Sequence, residues 1–306
     1  MSAGPDSLDR VTEKPTRSRA ATEERSGARR DRERPPAPEP LPHPVVDNHC
    51  HLDIADGDWV STEDAIAAAA AVGVPRIVQI GCDLPGARWA VAAAAEHDAL
   101  VAGVALHPNE APRLAATGAL DEALAEIERL AATHDKVRAV GETGLDTFRT
   151  GEEGRAAQEE SFRRHVDIAK RLDKTLVIHD RDAHDDVLRV LDEEGAPDRW
   201  VMHCFSGDGA FARRCLDRGA HLSFAGTVTF KNAAPLREAL ALTPLDRVLV
   251  ETDAPFLTPT PYRGRPNASY LVPVTVRAMA EVLGADLETL CRAVDANTEA
   301  AFWGAW

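Results

Sequence analysis

The sequence predicts an α/β fold, a TIM-type (β/α)8 barrel in a single domain. Three observations carry that expectation. Short β-branched runs alternate with Ala- and Leu-rich amphipathic stretches from residue 45 to about 252. The runs number eight, and strand alternating with helix implies parallel strands joined by helical crossovers. The stretch 44–306 also has the length such a barrel takes, about 250 residues.

The strands are expected at 45–50 (VVDNHC), 76–81 (RIVQIG), 100–105 (LVAGVA), 137–141 (VRAVG), 175–179 (TLVIH), 199–204 (RWVMHC), 220–224 (AHLSF) and 247–251 (RVLVE). The first helix begins at Ser61, a capping residue with Asp64 three positions on, the pattern of a capping box. A second runs from about 85 to 97. A third, near 119–134, carries Leu120, Leu124, Ile127 and Leu130 on one stripe. Others are expected at about 154–173, 182–194, 208–218 and 232–242, with two more near 270–284 and 286–302 packing outside.

Residues 1–40 differ in kind. They are rich in Arg, Glu, Pro, Ser and Ala, with almost no large apolar residue between Val11 and Leu41. Such a segment buries too little apolar surface to offset its ordering entropy, so a disordered tail is expected. It lacks the apolar core of a signal peptide. The tail holds 9 Lys/Arg and 8 Asp/Glu, and the rest of the chain 26 and 42, a body charge of −16. That charge argues against broad adhesion to nucleic acid, but leaves room for a small cleft made positive by metal ions. No stretch is long and apolar enough to span a membrane. Five cysteines without paired spacing make no disulfide framework; a cytoplasmic setting is expected. Oligomeric state leaves no signal in the sequence.

Catalytic residues of a TIM barrel sit at the C-terminal ends of its strands. The first strand there ends in His49 and His51, two residues apart and so on one face. The fourth ends in Glu142, the fifth in His179, the sixth in His203 and the eighth in Asp253. Six such donors exceed what one catalytic Zn²⁺ takes from protein, which is about three. They suit two divalent ions, Zn²⁺, Mn²⁺ or Mg²⁺, sharing a bridging carboxylate about 3.5–4 Å apart. Asp47 and Asp53 share parity with the two histidines and are expected to orient an imidazole; Glu251 lies one layer deeper. Cys50 and Cys204 should point outward as small buried hydrophobes. His43, His97, His134, His165, His184 and His221 receive no chemistry. Phosphate loops, nucleophile elbows and dinucleotide fingerprints are absent from the sequence.

These residues lie in a series of stretches: DNHCHLD (47–53), ALHPNE (105–110), GETGLD (141–146), VIHDRDAHDDVL (177–188), HCFSG (203–207), SFAGTVTFKNA (223–233), ETDAPFLTPTPYRGRPN (251–267) and ANTEAAF (296–302). In order and spacing the chain resembles the TatD family of metal-dependent hydrolases, a TIM-barrel branch of the amidohydrolase superfamily. The resemblance implies that His49, His51 and Asp253 serve one ion, His179 and His203 the other, and that Glu142 bridges. It implies that His107 contacts a substrate phosphate. Thr147 and Phe148 stand where the family more usually carries an aromatic pair. The expected activity is that of a 3′–5′ exodeoxyribonuclease acting on single-stranded or frayed DNA ends, with Asp253 and Glu142 as catalytic carboxylates. Arg181, Lys231, Arg263 and Arg265 lie on mouth-side loops and are candidates to hold flanking phosphates. The rival readings are another ester or amide hydrolase on the same site, such as a D-aminoacyl-tRNA deacylase, and a non-catalytic metal-binding module.

Overall fold

The computed structural model describes residues 12–22, 27, 29–303 and 306. Eight parallel strands lie in chain order in one sheet. They are β1 (Val46–Cys50), β2 (Arg76–Gly81), β3 (Leu100–Val104), β4 (Val137–Asp146), β5 (Thr175–Arg181), β6 (Trp200–Met202), β7 (His221–Phe224) and β8 (Val248–Val250). The sheet curls until its ends meet. Asp253 N–H donates to His49 O at 2.9 Å, and His51 N–H to Ala254 O at 2.7 Å. The result is a nearly closed TIM-type barrel, as the strand pattern predicts.

Helices cross between the strands: α1 (Thr62–Ala70), α2 (Leu84–Glu96), α3 (Ala111–Ala116), α4 (Leu120–Thr133), α5 (Glu152–Arg171), α6 (His184–Glu194), α7 (Gly209–Leu216) and α8 (Ala234–Leu242). Two more, α9 (Val272–Leu283) and α10 (Leu287–Phe302), follow. Ser61 caps α1 as expected, its Oγ accepting Asp64 N–H at 3.1 Å. The apolar stripe of α4 is buried at Leu124, Ile127 and Leu130, against the outward faces of the strands. The short α3 was not expected; it is too brief to carry a periodic pattern.

Two apolar cores result. The larger fills the space between sheet and helices, with Ile77, Leu100, Phe162, Leu176 and Trp200 among its members. Cys50 lies in it, as the alternation along β1 predicts. The smaller fills the barrel floor. Val46, Val78, Val101, Ala139, Val177, Val201 and Leu249 meet there, and Ala301 and Phe302 of α10 close it from below.

The expectation of disorder over 1–40 is corrected for residues 12–22 and 29–40. Residues 1–11, 23–26 and 28 lie outside the described residues. Arg17–Ser18 forms a parallel two-residue ladder with Ile54–Ala55, just after β1. Arg30 grips Asp56 with two hydrogen bonds of 2.8 and 2.6 Å, both side chains nearly fully buried. Further on, Arg265 donates to the carbonyls of Glu33 and Arg34, and Tyr270 to that of Pro35. An arm poor in apolar residues is thus held by backbone pairing and charge-assisted hydrogen bonds, contributions that a count of hydrophobic residues does not register. No described helix is long and apolar enough to cross a membrane.

Candidate metal centre

Glu142 sits at the middle of the barrel mouth. In the pairing of β4 with β5, Gly141 faces Val177 and Thr143 faces Ile178, so Glu142 is the extra residue of a bulge. A bulge re-aims the side chain it carries, here into the mouth. Gly144 lets the two strands stay close beyond it. Its φ is +138°, and a Cβ there would lie 2.1 Å from the carbonyl oxygen of His179.

The two oxygens of Glu142 face different partners. Oε2 lies 2.8 Å from His49 Nε2, 3.3 Å from His203 Nε2 and 3.8 Å from His51 Nε2. Oε1 lies 2.9 Å from His107 Nε2 and 3.4 Å from His179 Nδ1. Asp253 Oδ1 stands 3.3 Å from His51 Nε2 and 3.8 Å from His49 Nε2. The backbone of Asp253 is left-handed, with φ +54°. Asp tolerates that region better than most residues, and the strain marks a place where position matters. All six expected donors therefore converge. The grouping differs from the one the resemblance implies. The ligand atoms of His203 lie within 4.8 Å of those of His49, Glu142 and Asp253, while His107 joins His179 on the other side of Glu142.

Hydrogen bonds behind the rings set which nitrogen faces the mouth. His51 Nδ1 meets Ile80 O at 2.9 Å, so it carries the proton and Nε2 presents a lone pair. His203 Nδ1 meets Glu251 Oε1 at 3.1 Å. Glu251 also accepts from Ser223 Oγ, and Ser223 Oγ accepts from Asn48 Nδ2 at 2.7 Å. His107 Nδ1 accepts Asn109 N–H at 3.0 Å, which puts its proton on Nε2, toward Glu142. Asp146 Oδ2 approaches His179 Nε2 at 3.5 Å, and the Phe148 and Arg149 N–H groups hold its other oxygen.

Asn48, Ser223 and Asp146 received no role from the sequence; their one signal is their place in DNHCHLD, SFAGTVTFKNA and GETGLD. Asp47 and Asp53 do not orient imidazoles. Asp47 accepts from the N–H and hydroxyl of Thr252 at 2.9 and 2.6 Å. Asp53 accepts from Gln79 and Thr16. The reason is a second bulge: from Asp47 to Cys50 β1 advances three residues while β2 advances two, Ile77 to Gln79. Parity counted from His49 back to Asp47 therefore fails.

The charges are strongly coupled. Burial works to raise the Glu142 carboxyl, yet His203, His107 and His179 hold it well below the usual range. Asp253 is likewise lowered against its burial by His51, His203 and His49. Burial opposes protonation of His179, but Asp146 and Glu142 raise it to about 9. Burial and the neighbouring His203 lower His49.

A divalent cation fits these donors. Both ring nitrogens of His49, Glu142 Oε2 and His179 Nε2 are buried without an aligned hydrogen bond, although Glu142 Oε2 and His49 Nε2 stand 2.8 Å apart. Buried polar atoms left so at the mouth would be costly unless something satisfies them, and imidazole with carboxylate is a donor set for Zn²⁺-like ions.

At the rim, Arg181 lies over the ring of Phe148 and Arg263 over that of Phe230, each 4.0 Å from the ring centre. Arg265 instead is taken up by the arm. Cys204 flanks His203 and takes no part in the donor groups.

A parallel (β/α)8 barrel with histidines and carboxylates converging at its C-terminal mouth defines a class, the metal-dependent hydrolases. Comparison places the chain within it. The family model described as TatD related DNase matches residues 46–303. The uncharacterized metal-dependent hydrolase TatD of Mycobacterium tuberculosis is 45% identical over 267 residues, covering 86% of this chain and 99% of that protein. Metal-dependent hydrolase YabD of Bacillus subtilis is 38% identical, with 84% and 98% covered. The crystal structure of YjjV, a TatD homolog from Escherichia coli, superposes with a TM-score of 0.77 at 28% identity, covering 84% of this chain and 97% of that one. The chain belongs to the TatD family and is a metal-dependent hydrolase.

Proposed function

We propose that the chain is a two-metal phosphodiesterase that removes nucleotides from DNA 3′ ends. The observation that carries this reading is the division of labour at Glu142. Its Oε2 faces His49 and His203 and its Oε1 faces His107 and His179, as expected of a carboxylate bridging two sites. The family's description as related to a DNase supports a nucleic-acid substrate.

His49, His51, His179, His203, Glu142 and Asp253 would hold two divalent ions, Zn²⁺, Mn²⁺ or Mg²⁺. Such ions bring the pKa of water toward neutrality and stabilise negative charge at a phosphoryl oxygen. Asp253 takes the proton of the attacking water on its carboxylate. His107, with its proton fixed on Nε2, donates to Glu142 and steadies it. Arg181 and Arg263, held over phenylalanine rings, suit flanking phosphates. Five free cysteines support a reducing compartment, the cytoplasm.

The test is hydrolysis of end-labelled single-stranded DNA by chelator-stripped protein, before and after addition of Mn²⁺, Mg²⁺ or Zn²⁺. Activity should vanish and return. D-aminoacyl-tRNA runs alongside, and faster turnover of that ester than of DNA would overturn the nuclease reading.

A further inference from the structure

The family match begins at residue 46, so the arm formed by residues 12–22 and 29–40 lies outside it. Its placement on the barrel is specific. Thr16 N–H donates to Asp53 O and Arg19 N–H to Ala55 O, both at 2.8 Å, with the Arg17–Ser18 ladder between them. The arm is thereby stitched to the segment that leaves His51.

The same few residues reach the segment that leaves Asp253. Arg19 Nη1 donates to Pro255 O at 2.9 Å. Its guanidinium lies 5.0 Å from the ring centre of Phe256, and that ring stands edge-on to His51, 6.1 Å between centres. Arg17 reaches the cap of α2, with Nη1 3.7 Å from Asp83 Oδ2 and 43% of its side chain exposed. Asp53, Asp83 and Pro255 each follow the C-terminal end of a strand, so both arginines are at the mouth.

Three features make this a cationic surface suited to a polyanion. Arg17 and Arg19 bracket the segment that leaves His51, Arg17 reaching Asp83 after β2 and Arg19 reaching Pro255 after β8. Among the described residues, Arg19 and Arg30 share one carboxylate, that of Asp56. Arg19 also repeats the guanidinium-over-phenylalanine arrangement of Arg181 and Arg263. The body that carries this mouth is strongly acidic, and a substrate with a charge at every nucleotide needs local cations to approach it.

We propose that the arm is a substrate-binding element: Arg17 and Arg19 form a phosphate subsite beside the metal centre for a nucleotide flanking the scissile bond. The proposal rests on the phosphodiesterase reading and deepens it. It assigns to the arm a preference for oligonucleotides over small phosphodiesters.

The experiment uses the full-length, metal-loaded protein, wild type and Arg17→Gln/Arg19→Gln, on a short single-stranded oligonucleotide and on bis(4-nitrophenyl) phosphate. Loss of two charge-assisted contacts should raise the oligonucleotide KM about tenfold or more. The KM for the small diester should move far less, with kcat for the oligonucleotide within about twofold. Binding of a phosphorothioate oligonucleotide, followed by anisotropy against salt, should lose about 0.7 of slope per missing contact. Arg17→Gln alone, which breaks a single ion pair, guards against misfolding of the double variant and should give part of both shifts. Arg88→Gln, on the outer face of α2, is the control. An arm that merely fastens loops would lower the melting temperature while leaving the KM ratio and the salt slope at wild-type values, and that result overturns the proposal. Wild-type protein that binds the oligonucleotide but cleaves neither substrate overturns the phosphodiesterase reading instead, and the salt slope then decides the subsite.

Discussion

The two ends of the barrel are built from the same eight strands and could hardly differ more. At the floor, Val46, Val78, Val101, Ala139, Val177, Val201 and Leu249 pack against one another, sealed by Phe302. At the mouth, a few residues further along those strands, histidines and carboxylates crowd together with buried atoms left unpaired. The floor contributes stability by removing apolar surface from water, about 1.5–3 kcal/mol for a fully buried large side chain. The mouth accepts the cost of burying charges and keeps donors poised for a cation. Fold and chemistry are thus separable along the strand axis, which is why loops and strand ends can change without dissolving the barrel.

The sharpest way to break that separation is at Glu142. The double substitution Glu142→Ala/Asp253→Ala should lower hydrolysis roughly a thousandfold or more. In chelator its melting temperature should fall below that of wild type, because the buried histidines that pair with these carboxylates lose their counter-charges. Full activity in that variant would remove the metal centre from the account. Phe302→Ala is the mirror experiment. It should cost about 3–5 kcal/mol of unfolding free energy by urea titration, with kcat on the folded protein within a few-fold of wild type.

Between the two ends lies His165, buried in α5, where its Nε2 accepts Leu106 N–H and its Nδ1 bonds Ser161 O. Burial pushes its pKa down to about 4. The unfolded chain therefore holds the extra proton between its own value, near 6.5, and about 4. The stabilisation is fully present above roughly pH 6.5 and is lost as pH falls toward 4, up to about 3 kcal/mol. Unfolding titrations of wild type and His165→Asn across that window should show a steeper acid loss in wild type; parallel curves would contradict it. The smallest effect is expected behind the mouth. Glu251→Gln should weaken metal affinity about 10–100-fold, read by competition with a chromogenic chelator, while stability stays near wild type.

The ends of the strands were legible because their signals are local. Alternating β-branched and amphipathic runs name the strands, and a His or carboxylate at a strand's end needs only that boundary to be placed. The errors came where one residue was added to a strand or where contacts joined distant segments. The bulge before His49 sent Asp47 to Thr252 rather than to a ring. His203 stacks on His49 at 3.8 Å between ring centres, a relation between β6 and β1 that no spacing expresses. The arm misled for a similar reason. Arg30 is ordered by Asp56, and Arg265 is drawn from the substrate rim by the carbonyls of Glu33 and Arg34.

By itself, the sequence determined the barrel and the six strand-end donors that converge at its mouth. Period and residue type act over a few residues, and parallel strands then bring their like ends together. The tertiary structure alone decided that Glu142 turns inward on a bulge and which nitrogen of each histidine faces the mouth. It also decided that the arm reaches the rim. Those outcomes depend on hydrogen bonds between segments up to some two hundred residues apart, whose energies exist only once the barrel has closed.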